Sequence, residues 1–134
     1  MTGNRPVMTG SRSATGFTLI ELLVVMTIIG VLLTIAVPRY FRTVERSRET
    51  VLRHDLSVVR ESIDKYYADS GQYPDALPAL VDKHYIRSVP VDPFTKSSES
   101  WLLIASEDPD HPGVRDIHSG SPDKSFDGSP FVSW

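Results

Sequence analysis

The residues able to do chemistry in this chain are few. Glu21 stands four positions into an apolar run, Phe17 to Val37, that carries no other charge. A carboxylate in a greasy helix is costly and is retained for a partner of opposite sign, so its chemistry is charge pairing rather than bond making. The loop Ser119 to Gly128 concentrates oxygen donors, with Asp123 and Asp127 as its carboxylates. Calcium takes about six to eight such oxygens, while Asx turns use the same side chains; both readings stay open. His54, His84, His111 and His118 lack the His-x-x-x-His spacing of a zinc helix, and no Gly-x-Ser-x-Gly elbow, phosphate loop or paired-carboxylate setting occurs. The expectation is a protein that is not an enzyme.

The element that must position Glu21 is the run itself. As a helix rising ~1.5 Å per residue, it reaches about 30 Å, the thickness of a bilayer's hydrocarbon core. Ahead of it, Met1 to Gly16 carries Arg5 and Arg12 and no acid. A secretory signal would be cut after the apolar stretch, but Ala36 is followed at once by Val37 and Pro38. A plain signal anchor, with Glu21 near the headgroups, is the bland alternative. Pro38 falls where the run meets Arg39, and predicts a kink or local unwinding at the water boundary.

Beyond the proline, Phe41, Val44, Leu52, Leu56, Val59, Ile63 and Tyr66 recur with helical spacing and make one apolar face. Arg42, Glu45, Arg46, Arg48, Glu49, Arg53, Asp55, Arg60, Glu61 and Asp64 read as a solvated face. Within it, Arg39, Arg42, Arg46 and Arg48 lie beside the bilayer, where headgroups or acids of adjacent subunits are the partners within reach. The helix is expected from about Thr18 to Ser70, stopped by Gly71 and Pro74. A short helix from Ala76 to about Lys83 follows, capped by Asp75. Next come a proline-punctuated segment from Tyr85 to Phe94, and two strands, Trp101 to Ser106 and Val114 to Ser119. Tyr66, Tyr67, Tyr73 and Tyr85 read as packing between helix and sheet. The fold class is α+β: a long N-terminal helix, transmembrane in its first half and amphipathic in its second, against a small antiparallel sheet, in the form of a lollipop.

The chain has 134 residues, a formal charge of −3 and no cysteine. Loss of Arg5 and Arg12 would take the charge to −5, and so acidic a soluble part argues against nucleic acid or an anionic membrane surface as its partner. Without disulfides, a domain this small depends on helix packing, neighbours or a metal.

Gly16-Phe17-Thr18-Leu19-Ile20-Glu21 resembles the processing site of type IV prepilins and pseudopilins. The resemblance implies that a prepilin peptidase cuts between Gly16 and Phe17, that Phe17 is N-methylated, and that the apolar helix stays in the mature chain. Met1 or Met8 can start the leader. The freed amine of Phe17 would be neutralised by Glu21 of a neighbouring subunit inside an apolar bundle. A proline at Pro38 implies partial melting of the helix on assembly. The organisation is then leader 1–16, transmembrane and filament-core helix 17–38, amphipathic half-helix 39–70 and periplasmic part 71–134.

Gly71-Gln72-Tyr73-Pro74 resembles the turn that ends the long helix of pseudopilins. Pro90-Val91-Asp92-Pro93-Phe94 resembles a loop of the major pseudopilin, the G subunit, of type II secretion systems, with Phe94 where tryptophan often stands; here Phe94 reads as a packing anchor. Those proteins bind calcium in a loop after their last strand. Their Gly-Pro-Asp-Gly is Ser121-Pro122-Asp123-Lys124 in this chain, and their adjacent acidic pair is reduced to Asp127. The resemblance implies a single-pass protein of the bacterial inner membrane with a periplasmic C-terminal domain. Its partners would be further copies of itself, minor pseudopilins, prepilin peptidase and the inner-membrane assembly platform. A type IV pilin used for adhesion or motility, and an anchored periplasmic binding module that never polymerises, are the alternatives.

Overall fold

The structure is a computed structural model that describes residues 2–7, 10, 13 and 15–134. Both candidate starts, Met1 and Met8, and Arg12 of the leader lie outside the described residues. Two compact units divide the chain, Met1–Arg39 and Tyr40–Trp134. Helix α1, Leu19–Ser70, contributes to both.

In the first unit α1 is preceded by Thr18, whose hydroxyl accepts from the Glu21 amide at 3.2 Å while its carbonyl accepts from Leu22 at 3.1 Å. Thr18 thereby satisfies one of the donors a helix start leaves open. Thr27 and Thr34 turn their hydroxyls back onto the carbonyls of Leu23 and Gly30, each at 2.8 Å, which keeps these polar atoms satisfied in an apolar surrounding. Pro38 lies inside α1, which stays helical through it without the local unwinding expected at that point.

The second unit holds the rest of α1, helix α2 at Leu77–Asp82, strands β1 at Leu102–Ala105 and β2 at Val114–His118, and a 3-10 turn at Phe131–Ser133. Gly71 ends α1 in the left-handed region, φ +74, and its amide donates to Tyr67 at 2.8 Å; that conformation favours glycine. Ala76, in extended backbone with no side-chain cap bond, occupies the cap of α2. Asp75 therefore does not cap it. Pro78 lies in the first turn, where no amide is needed, and burial of Leu77 and Leu80 holds the short helix in place. β1 and β2 pair antiparallel, Leu103 opposite Ile117, with a bulge between Ile104 and Ala105. The core joins Leu52, Leu56, Val59 and Ile63 of α1 to Leu77, Leu80, Trp101, Val114, Ile117 and Phe131. The α+β expectation holds. The apolar stripe of α1 enters this core only from Leu52 onward, and Phe41, counted in the stripe, is 61% exposed, because no other part of the unit covers the helix there.

Candidate functional site

Residues 15–18 precede α1 without secondary structure, and Gly16 and Phe17 are both exposed. Nothing lies within 4 Å of where a Gly16 side chain would begin. A peptidase needs such an accessible, non-helical bond. One turn on, the Glu21 carboxylate is exposed and makes no hydrogen bond or ion pair among the described residues. From Leu19 to Val37 every large hydrophobic side chain is at least 43% exposed, and none of the most apolar window of α1 is buried. The first half of α1 is thus long and apolar enough to cross a membrane, and its one acid has no counter-ion among the described residues. Thr18 was overlooked in the sequence, though Thr18-x-x-Glu21 is the Ser/Thr-x-x-Glu signature of a helix start.

The C-terminal loop is built from turns. Hydrogen bonds from the Ser129 hydroxyl at 2.5 Å and amide at 2.8 Å reach Asp127 Oδ1 and hold that carboxyl below the usual carboxylate range. Asp123 is exposed; its amide donates to Ser121 Oγ, and its carbonyl accepts from Phe131. No group of three or more His, Cys, Asp or Glu side chains is placed to hold a metal ion among the described residues. A calcium ion here would depend on main-chain carbonyls for most of its oxygens.

Two arrangements escaped the sequence reading. Asp92 is fully buried and organises the proline-rich segment: Oδ1 accepts from the amides of Phe94 and Thr95, and Oδ2 from the Ser119 hydroxyl at 2.5 Å. With its lone pairs so occupied, the carboxylate can stay in a dry site. The Asp92-Pro93 setting is the signal that marks it in the sequence. Phe94 does pack, its ring centroid 4.2 Å from that of Phe131. Tyr66 likewise meets Tyr85 at 5.4 Å, and Tyr67 stacks on Tyr73 at 4.5 Å.

The charged face of α1, read as solvated, in fact carries the C-terminal segment. Arg60 donates to Asp116 at 2.6 Å, to the Ile117 carbonyl at 2.9 Å and to the Trp134 carbonyl at 2.8 Å. Arg53 lies over the Trp134 ring at 3.8 Å. Further toward the N-terminus, Glu49 accepts from the Phe126 amide at 2.8 Å, and Arg46 sits 5.1 Å from the Phe126 ring.

Residues 11–37 match the prokaryotic N-terminal methylation motif. A type II secretion system core protein G of Klebsiella pneumoniae is 34% identical over 124 residues, 81% of this chain and 84% of that protein. Its counterpart in Dickeya chrysanthemi is 30% identical over 128 residues, 84% of this chain and 80% of that protein. The fimbrial protein EcpC of Eikenella corrodens is 37% identical over 81 residues, covering 57% of this chain and 53% of that protein. No solved structure matches the chain significantly. An exposed apolar half-helix behind a methylation motif, an α+β head, and identity sustained through both place this chain in the type II secretion system core protein G family.

Proposed function

We propose that this chain is a structural, non-enzymatic subunit of a type II secretion pseudopilus. Prepilin peptidase cleaves it between Gly16 and Phe17, Phe17 is N-methylated, and the new terminal amine of one subunit pairs with Glu21 of the next. Copies of the chain then stack through their apolar half-helices on the inner-membrane assembly platform, with minor pseudopilins as further partners and no nucleic acid involved. Pro38 is the point at which the helix can give during extraction from the membrane. The observation that carries this reading is the bare apolar half of α1 with an acid near its start that meets no partner among the described residues.

Replacing Glu21 with Val tests it. The expected result is normal cleavage and methylation, read by mass spectrometry of the membrane-purified chain, together with loss of filaments and of export. Filaments that form normally would remove the Glu21 pairing from the account of assembly. The periplasmic placement of the head rests on the family. Arginine counting opposes it, because Arg5 and Arg12 precede the run while Arg39, Arg42, Arg46 and Arg48 follow it. Protease added to spheroplasts is expected to remove the head; protection of the head would invert the topology.

A further inference from the structure

The acidic total of the chain conceals a segregation of charge. Residues 39–49 carry four arginines against two glutamates, a net of +2, whereas residues 50–134 carry eight lysines and arginines against fourteen acids, a net of −6. The basic collar follows the apolar run directly. It is flanked by three exposed aromatic side chains, Tyr40 at 67%, Phe41 at 61% and Phe126 at 50%.

Phe126 reaches this collar from the far end of the sequence. Its amide is tied to Glu49 and its ring is met by Arg46, so the loop holds an aromatic ring out beside the arginines instead of burying it. Arg42 is exposed and makes no hydrogen bond or ion pair among the described residues. Aromatic rings with arginines at the end of an apolar span are the composition of a membrane interface. Basic juxtamembrane side chains gain attraction from anionic lipid that falls off within a Debye length. Glu45 in the same turns opposes that attraction. Asp127, next to Phe126, opposes it less, since its carboxylate is turned to Ser129.

We infer that Tyr40, Phe41, Arg42, Arg46 and Phe126 form a rim that seats the unassembled subunit's head on anionic phospholipid headgroups. The inference rests on the proposed membrane span and adds a second, electrostatic hold on the same surface. The seat is released when the subunit leaves the bilayer.

The test uses the full chain, with Phe126→Trp as a reporter read as the difference from the parent, whose Trp101 and Trp134 also emit, in nanodiscs of phosphatidylcholine alone or mixed with phosphatidylglycerol, and with brominated lipids as quenchers. Co-elution with the disc reports insertion of the span and is expected in both lipids, whatever the rim does. In the anionic discs the reporter emission is expected to shift to the blue, to be quenched, and to revert with salt. Adding Arg42→Gln and Arg46→Gln should lower the bound-to-free ratio of the rim on the order of tenfold. Equal emission in the two lipids for an inserted chain would overturn the seat. A shift confined to discs holding two copies would overturn it as well, by assigning the rim to a neighbouring head. Failure to co-elute would instead count against the span.

Discussion

Two stretches of one helix, Leu19 to Val37 and Leu52 to Ile63, are both rich in aliphatic side chains and meet opposite fates. In the first, exposure of the large apolar side chains runs from 43% at Val25 to 84% at Leu19; in the second, Leu52, Val59 and Ile63 are at 0%. A helix cannot cover its own surface, and the difference lies in whether the chain returns to cover it. From Leu77 onward it packs on the second stretch, whereas the large apolar side chains of the first stay exposed. Leaving fourteen half-bare aliphatic side chains in water would cost on the order of 20 kcal/mol. That exceeds the roughly 5 to 15 kcal/mol by which a domain is stable. The first stretch therefore needs lipid or other copies around it, while the second is complete within its own chain.

Matched truncations give the largest expected effect on that contrast. Ile63→Ala should destabilise the head by about 2 to 5 kcal/mol, whereas Ile28→Ala should leave head stability within about 0.5 kcal/mol. Urea unfolding of the detergent-solubilised chain, followed by Trp101 and Trp134 fluorescence, checks both; equal losses would erase the distinction between the two halves.

Arg60 sharpens the boundary from the polar side. Arg60→Met strips the hydrogen bonds from Asp116 and from two carbonyls, and should cost about 1 to 3 kcal/mol in the same assay. The Trp134 emission should also change, because its carbonyl loses the Arg60 bond and only the Arg53 ring contact still ties it to α1. No change in either would return this face to solvent.

Asp55 gives a smaller effect with a defined sign. Burial chiefly, together with the Asp92 charge and against the opposing His54, raises its pKa above 3.8. A carboxyl whose folded pKa exceeds its unfolded value binds protons more readily in the native state. Its stabilising contribution is complete below about pH 3.8 and is lost as pH rises through the raised value. Asp55→Asn should therefore be slightly more stable than the parent at pH 7, with the gain vanishing near pH 3.5. A gain that grows on acidification would reverse the assignment. The smallest effect belongs to calcium: melts of the full chain in calcium and in chelator should share a midpoint, and a higher midpoint in calcium would place the ion in the loop of Asp123 and Asp127.

The long helix could be drawn from the sequence nearly to the residue, Thr18 to Ser70 expected against Leu19–Ser70 found. Its determinants, the apolar run, the 3.6-residue stripe and Gly71, act on neighbouring residues. The motif that holds Gly16, Phe17 and Glu21 was legible for the same reason, since it is written in contiguous chain; their roles in processing and pairing belong to the proposal. The α2 cap was misassigned to Asp75 because Pro78 and buried leucines suffice there without a side-chain acceptor.

The sequence alone therefore determined the long apolar run, its lone acid and the α+β class. Only the tertiary structure decided where the polar residues of the head find partners. Asp92 meets Ser119 across 27 positions, Arg60 meets Asp116 across 56 and Trp134 across 74, and Glu49 meets Phe126 across 77. No local pattern encodes such pairs. They form because burial removes water from a carboxylate or leaves a guanidinium facing carbonyls, and that environment exists only once the chain has closed on itself.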